Sequence, residues 1–414
     1  MREMKDSGIA WIGAIPQDWQ LSKIGNLYTQ RNEKVSDKDY QPLSVTMQGI
    51  LPQLATAAKT DDGDNRKLVR VGDFAINSRS DRRGSCGISP LDGSVSLINI
   101  ILTPRTAMHP GYYNWLFHTT LFADEFYKWG HGIVADLWTT RWQEMKSITV
   151  PVPEYAEQER IAAFLDAECA EIDAVLEKTR ASIEEYKKLK QAVITQAVTK
   201  GIRGDRPMKD SGIEWIGEIP AEWSVVPFSK FARVSANLVN PSDYQDYLQV
   251  SPENIEKDSG KLLSCKTVSE VGVESWNHFF HKGQILYSKI RPKLNKVCIA
   301  PFDGLCSADM YPIDTDNISK FVVYTILSND FNQQVAMITE NRVKMPKINQ
   351  KELSKIIVVL PANRMEQQEI VDYLDGECGK IDALIAKKQQ YLTEIENYKK
   401  SLIYEYVTGK KEVI

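Results

Sequence analysis

Basic residues mixed with hydroxyl and amide residues follow an apolar segment at two places in the sequence. Segment 77–85 (NSRSDRRGS) carries three arginines, and segment 287–296 (YSKIRPKLNK) lies within residues 282–296, which hold five basic residues and no acidic one. Arginine and lysine can pair with guanine edges and phosphates, while serine and asparagine supply adaptable hydrogen-bonding groups. The pattern predicts two loops that contact a nucleic acid, and ordinary solvated loops are the alternative. The candidate contact residues are Ser78, Arg79, Arg82, Arg83, Ser85, Tyr287, Ser288, Lys289, Arg291, Lys293, Asn295 and Lys296.

A second basic segment, 341–347 (NRVKMPK), precedes the closing strand of the second half of the chain. Residues 131–141 are its expected partner region in the first half. Its candidate contact residues are Arg342, Lys344 and Lys347. A solvated loop explains this segment equally well.

A search for catalytic or metal-binding motifs returns little. The sequence contains neither a G-x-x-x-x-G-K-[ST] phosphate loop nor the N/D-P-P-[YF] motif of amino-methyltransferases. Glu185 and Lys187 match the E-x-K spacing of some nucleases, but they fall on a long helix whose charged residues are expected to face solvent. His278 and His281 lie in an aromatic cluster without a third ligand, which favours packing over metal binding. The six cysteines form no C-x-x-C pair and are interpreted as reduced core residues, so the sequence predicts no catalytic residue and no metal site.

Two long amphipathic segments, at about 157–200 and 366–409, position these loops. Each runs for more than 40 residues without proline, and a helix of that length spans roughly 65 Å. Their apolar residues recur at steps of three and four, which is typical of a coiled-coil seam. The seam residues are Ile161, Leu165, Ile172, Leu176, Ile183, Ile370, Leu374, Ile381, Ile385 and Leu392, and Leu189 and Tyr398 continue the spacing. We expect the two stripes to bury each other in an antiparallel pair.

The chain also contains an internal repeat. Residues 4–19 and 208–223 are identical at twelve of sixteen positions, and the long helices repeat at a similar offset. β-branched segments in each half, together with helical periods at 112–128 and 319–338, predict mixed α and β bodies. The predicted fold class is therefore α+β with pseudo-two-fold duplication. The expected order is a lead-in packed on the C-terminal helix (1–19), body one (20–152), a long helix (153–201), a linker with the repeated lead-in (202–223), body two (224–361) and a second long helix (362–414). Trp11, Trp19, Trp215 and Trp223 in the lead-ins either anchor on the helix ends or dock a partner.

Composition and charge limit the class of protein to which the chain can belong. The chain of 414 residues has a net charge of −4 and an apolar content of 43%, which is ordinary for a globular protein. No run is long enough to cross a bilayer, and the N-terminus has no apolar signal segment. The sequence therefore favours a cytoplasmic protein of two or three domains, with no membrane partner.

These features together resemble the specificity subunit of type I restriction–modification enzymes. The resemblance covers essentially the whole chain. It rests on the repeated K-D-S-G-I-x-W-I-G-x-I-P-x-x-W lead-ins, the E-Q-x-x-I-x-x-x-L-D helix starts and the segment 282–307. Body one departs from the fuller motif, because it has N-S-R-S (77–80) where body two has S-K-I-R-P (288–292).

The resemblance implies a non-catalytic, sequence-specific DNA-recognition subunit. The two bodies would be target recognition domains that each read one half of a split site in double-stranded DNA. The paired helices would set the gap between the half-sites and dock two methyltransferase subunits and two restriction subunits. No cofactor is expected in this chain, whereas S-adenosylmethionine, ATP and Mg²⁺ are expected in those partner subunits.

Two other interpretations stay open from the residues alone. The protein could be a stand-alone DNA-binding factor, which would be specific without a co-purifying methyltransferase. It could also be a nuclease that uses Glu185 and Lys187, which would require Mg²⁺-dependent cleavage by the pure subunit.

Overall fold

The computed structural model describes residues 2–53, 62–132, 138–342 and 345–413. The chain divides into two compact units, Met1–Arg180 with Gln390–Ile414 and Ala181–Gln389. Each unit contains one body, one lead-in and a part of both long helices. The mixed α and β content confirms the predicted fold class.

The first unit is built mainly from short antiparallel strands. They form sheets in the orders β10-β9-β12-β4, β11-β8-β5 and β13-β3. The elements are β1 (Met4–Asp6), β2 (Ala14–Pro16), β3 (Gln20–Lys23), α1 (Ile24–Leu27), β4 (Tyr28–Arg31), β5 (Lys34–Val35), β6 (Leu43–Thr46), β7 (Gly49–Pro52), β8 (Arg66–Val69), β9 (Phe74–Asn77), β10 (Cys86–Ile88), β11 (Gly93–Val95), β12 (Asn99–Pro104), α2 (Pro110–Phe117), α3 (Thr120–Lys128), α4 (Trp142–Met145), β13 (Thr149–Val152) and the long helix α5 (Tyr155–Lys200).

The second unit follows the same order of elements, with the short helix α7 in addition between β20 and β21. Its corresponding sheets run β23-β22-β25-β17 and β16-β26, and a further sheet runs β18-β21-β24-β19-β20. The elements are β14 (Met208–Asp210), β15 (Glu218–Pro220), β16 (Ser224–Pro227), α6 (Phe228–Phe231), β17 (Arg233–Val234), β18 (Leu238–Val239), β19 (Leu248–Val250), β20 (Lys266–Thr267), α7 (Val268–Val271), β21 (Asn277–Phe280), β22 (Ile285–Ser288), β23 (Val297–Ile299), β24 (Gly304–Cys306), β25 (Met310–Asp314), α8 (Ser319–Leu327), α9 (Asn329–Thr339), α10 (Gln350–Leu353), β26 (Ile357–Leu360) and the long helix α11 (Arg364–Val407).

The central sheets of the two bodies share their register. Ile100 of β12 faces Ile76 of β9, and Tyr311 of β25 faces Tyr287 of β22. Both pairs are related by one sequence offset of 211. The loops that follow β9 and β22 therefore occupy equivalent places in their own bodies.

The continuous helices predicted at 112–128 and 319–338 are each broken into two. The Thr119 side chain accepts from the Phe122 amide, and the Ser328 side chain accepts from the Phe331 amide. A hydroxyl that caps a new helix satisfies amides that the preceding helix cannot reach, so the chain can turn there. The apolar period alone did not reveal the break.

Within each unit the long-helix segments pair antiparallel. In the first unit, Phe164 packs on Tyr406 with ring centroids 4.4 Å apart, and Asp173 accepts from Lys399 Nζ at 2.6 Å. In the second, Lys190 Nζ donates to Asp382 at 2.7 Å. Seven predicted seam residues are buried, whereas Ile172, Ile385 and Leu392 are half-buried. The buried ones are Ile161, Leu165, Leu176, Ile183, Ile370, Leu374 and Ile381.

Two positions of the predicted stripe are corrected by the structure. Leu189 is 49% exposed and Tyr398 is 54% exposed. At each place the next residue, Lys190 or Lys399, reaches across to a carboxylate of the other helix instead. A lysine bends its apolar stem over the seam while its ammonium finds an acid, so the stripe is interrupted by a polar layer.

The lead-in tryptophans mostly belong to the unit cores. Trp19 Nε1 donates to Glu157 at 2.9 Å, and Trp223 Nε1 donates to Glu366 at 3.0 Å. Trp11 is buried against Phe122. The partner-docking assignment is therefore corrected for Trp11, Trp19 and Trp223, because their rings have almost no free surface. Trp215, by contrast, is 48% exposed.

Candidate nucleic-acid interface

Three loops of the first unit meet at the end of β9. The Ser78 amide donates to the Ile98 carbonyl at 3.3 Å, and the Ser78 carbonyl accepts from the Thr140 amide at 3.0 Å. The Ser80 amide donates to the Trp138 carbonyl at 2.9 Å. Residues 78–83, 96–99 and 138–142 are called the first loop cluster below.

The second unit contains the same arrangement at the end of β22. The Lys289 amide donates to the Asp309 carbonyl at 3.0 Å, and the Lys289 carbonyl accepts from the Ile348 amide at 2.9 Å. The Arg291 amide donates to the Pro346 carbonyl at 2.8 Å. Residues 289–296, 307–310 and 345–349 are called the second loop cluster. The two basic segments that the sequence suggests separately in each half thus lie side by side.

Arginines dominate the surface of the first loop cluster. Arg79, Arg82 and Arg83 are exposed. Arg83 forms an ion pair with Asp124 and lies 6.0 Å from the ring centroid of Tyr127. Within the described residues Arg79 forms no ion pair, so its guanidinium is available to an external acceptor.

The second loop cluster presents a mixture of charges. Arg291 and Lys293 are exposed, and Arg291 has a left-handed backbone with φ of 44°. Lys289 Nζ lies 5.2 Å from the ring centroid of Tyr311. Lys347 Nζ donates to Asp309 at 2.9 Å. This cluster offers both donors and an acceptor, whereas the first offers mainly donors.

Several predicted contact residues support the loops rather than face outward, which corrects the assignment for them. Ser78 donates its hydroxyl to the Ile98 carbonyl at 2.5 Å, and Lys296 Nζ donates to the Pro252 carbonyl at 2.6 Å. Strands β9 and β22 are buried along their whole length, so their final side chains have no solvent face. The buried residues of the prediction are Ser78, Ser85, Tyr287, Ser288 and Asn295.

The basic segment 341–347 is only partly available. Arg342 is ion-paired with Glu352 and donates to the Lys347 carbonyl, so it fastens the loop. Lys344 lies outside the described residues. Lys347 is the exposed member that belongs to the second loop cluster.

The first loop cluster also contains residues that the sequence analysis did not name. Leu97 and Ile98 are exposed beside Arg79, and so is Arg141, the last residue of the predicted partner region 131–141. Lys67 reaches the cluster from β8 and donates to the Asn99 carbonyl at 2.7 Å. No local motif marks these residues, because contributions from β8, β12 and the loop before α4 converge only in the fold.

Each loop cluster has one partly buried basic side chain whose pKa is lowered. Burial lowers the pKa of Lys67, and burial followed by repulsion from Lys289 lowers the pKa of His278. These residues are equivalent at the offset of 211. Each cluster therefore has a basic side chain that is partly shielded from water, where a hydrogen bond is stronger than in water.

Among the described residues, no group of three or more His, Cys, Asp or Glu is placed to hold a metal ion. Glu185 forms an exposed ion pair with Lys188, and Lys187 forms one with Glu184, as solvated helix faces do. In the described part of the chain, no helix has the length and apolarity required to span a membrane.

Each of the two mixed α/β bodies carries a loop cluster with exposed basic side chains. A family model for the type I restriction modification DNA specificity domain matches residues 230–397. The chain is 35% identical over 286 residues to the type I restriction enzyme EcoDI specificity subunit of Escherichia coli, which covers 64% of this chain and 63% of that protein. The chain is therefore similar to type I restriction–modification specificity subunits over these residues, and it spans slightly less than two thirds of that relative's length.

A solved structure shows the same fold. It concerns the complex assembly and conformational transition of the type I R-M system, and its matching chain superposes with a TM-score of 0.72. The match covers 96% of this chain and 99% of the other at 14% identity. At that identity the likeness describes the fold alone.

Proposed function

We propose that this chain is the DNA-reading subunit of a type I restriction–modification complex and performs no catalysis itself. Body one (20–152) and body two (224–361) each read one half of a split site in double-stranded DNA. The exposed cations of the two loop clusters supply phosphate and base-edge contacts.

The observation that carries the proposal is the shared backbone frame of the two clusters. In each body the loop after the central strand is held by the same three amide–carbonyl hydrogen bonds. The side chains differ, with Arg79 in one cluster and Ile290 at the equivalent position of the other. One frame with two sets of side chains is what two readers of different sequences require.

The long helices are proposed to serve as spacer and docking surface. A helix of 46 residues such as α5 spans about 69 Å, so the pair can set the gap between the half-sites. Two methyltransferase subunits and two restriction subunits are the proposed partners. They would bring S-adenosylmethionine, ATP and Mg²⁺, and the whole complex would work in the cytoplasm.

Exchange of one body tests the proposal. Residues 20–152 are replaced by the corresponding body of the EcoDI relative, the chimaera is co-expressed with its methyltransferase, and methylated motifs are mapped by single-molecule sequencing. We expect one half-site to change while the other half-site and the gap stay the same. The reciprocal exchange of residues 224–361 is the control and should change the opposite half.

Two outcomes would contradict the proposed function. If both halves of the motif change with one exchange, the bodies do not read independently. If neither half changes, the bodies do not read the DNA at all.

A further inference from the structure

A cavity of about 320 Å³ opens within the first loop cluster. Ser78, Arg79, Leu97, Asn99, Arg141 and Trp142 are among its lining residues, and all belong to the first unit. Its rim is apolar, since Leu97 and Ile98 are 36% and 37% exposed. The cavity is large enough for a single aromatic heterocycle and too small for a folded peptide segment.

Asn99, one of the residues that line the cavity, has a buried side-chain atom without a hydrogen-bond partner among the described residues. Asn99 is only 4% exposed, and its Nδ2 donates to the Ser96 carbonyl at 3.0 Å. That bond fixes which end of the amide is the acceptor. The acceptor, Oδ1, is buried and receives no hydrogen bond from the described residues. A buried hydrogen-bond acceptor without a donor destabilises the fold, so it marks a place for a ligand that donates a hydrogen bond.

The charge of the lining favours a nucleic acid. Lys67, Arg79 and Arg141 contribute cations, and the described lining contains no carboxylate. Lys67 Nζ holds the Asn99 main chain through its carbonyl at 2.7 Å, so the acceptor is fixed from both sides. A cationic pocket with a fixed acceptor is suited to a base edge that carries a hydrogen-bond donor.

We propose that this pocket takes the major-groove edge of one nucleobase that carries an amino group on that edge, adenine or cytosine. The amino group donates to Asn99 Oδ1, while thymine and guanine would place a carbonyl oxygen against the same acceptor. The side-chain amide of Asn99 cannot make the bidentate contact with adenine, because its Nδ2 is committed to Ser96. The inference rests on the proposed function and assigns a base class to one position of one half-site.

The second body does not offer the same pocket chemistry. At the offset of 211, Met310 stands in place of Asn99 and Lys289 in place of Ser78, and Met310 is fully buried. The preference for an amino-bearing base therefore belongs to the half-site read by body one.

The experiment pairs a protein change with a DNA change. The protein variant is Asn99→Met, which installs the side chain that body two tolerates at the equivalent position, in the complete complex with its methyltransferase. The probes are duplexes with the mapped site in which each adenine is replaced by purine, or each cytosine by 2-pyrimidinone, one at a time. These analogues lack only the amino group.

For the native complex we expect one position of the first half-site at which loss of the amino group weakens binding about tenfold. In Asn99→Met the same replacement should cost nothing further, and every position of the second half-site should respond as in the native complex. Met310→Leu is the matched control and should leave the first half-site unchanged. The probe series on the native complex gives the answer even if Asn99→Met folds poorly.

Two outcomes separate the inference from the proposed function. If first-half base pairs matter but no amino group does, or if Asn99→Met retains the amino dependence, the pocket assignment is wrong. If no base pair in either half-site affects binding, the proposed function itself fails.

Discussion

Removing the charge of Glu366 should destabilise the second unit strongly. Glu366 is 2% exposed and accepts from Trp223 Nε1 at 3.0 Å and from Arg206 at 2.6 Å. The Arg206 side chain is 9% exposed and lies 5.3 Å from the Trp223 ring centroid. Glu366→Gln keeps the shape but leaves this guanidinium, among the described residues, with the exposed Glu222 as its remaining ion-pair partner. Breaking a buried ion pair typically costs 3–5 kcal/mol, and because Glu222 remains we expect about 3 kcal/mol.

The repeat supplies a matched control in the first unit. Glu157 accepts from Trp19 and Arg2 in the same arrangement, but its side chain is 13% exposed and that of Arg2 is 20% exposed. Water screens this pair more, so Glu157→Gln should cost about 1 kcal/mol. The difference between the two variants depends on burial, because the groups involved are the same.

Urea unfolding and hydrogen exchange measure the two costs. Mass spectrometry of peptides near the start of α11 reports on the second unit, and peptides near the start of α5 report on the first. Glu222→Gln, which alters only the exposed partner of Arg206, should have little effect. The reasoning is refuted if Glu157→Gln costs as much as Glu366→Gln, or if Glu366→Gln costs no more than Glu222→Gln.

Two further predictions concern the helix seam and the second loop cluster. Asp382→Leu leaves Lys190, whose side chain is 11% exposed, without its carboxylate, and should lower the free energy of unfolding in urea by about 3 kcal/mol. The double variant Asp382→Leu with Lys190→Met should be nearly neutral, because no buried charge is left unpaired. Equal costs for the single and double variants would contradict this. Arg291→Gln should weaken specific DNA binding by the complete complex about tenfold in a filter or anisotropy assay. Lys282→Gln, at the opposite end of β22, should leave the affinity for DNA nearly unchanged. If both variants lose the same affinity, the second loop cluster is not part of the DNA interface.

The sequence predicted the frame of the site better than the side chains that face outward. The offset of 211 that relates Ile76 to Tyr287 placed the two loops correctly, because a repeated register repeats the end of each strand. The sequence did not show which side chains at those strand ends are buried, because both faces of β9 and β22 are covered. Ser78 and Tyr287, which were predicted to contact DNA, are therefore buried residues that support the loops.

Long-range convergence could not be predicted at all from local patterns. Thr140 meets Ser78 across about sixty residues, and Lys67 arrives from a third segment. Arg141 lies just before the short helix α4, at the end of the predicted partner region 131–141. Its position beside Arg79 follows from the antiparallel bridge between Arg79 and Thr139.

The way the loop clusters are held explains how their side chains can differ so much. The bonds that join the three loops of each cluster run between backbone amides and carbonyls, for example from Thr140 to Ser78 and from Ile348 to Lys289. Such bonds do not depend on side-chain identity, so an exposed residue can change without loosening the frame. Buried residues such as Asn99 and Met310 are constrained differently, because each must fill or satisfy its own interior. Changes of specificity should therefore be easy at Arg79 and Arg291 and should require compensation when they reach Asn99.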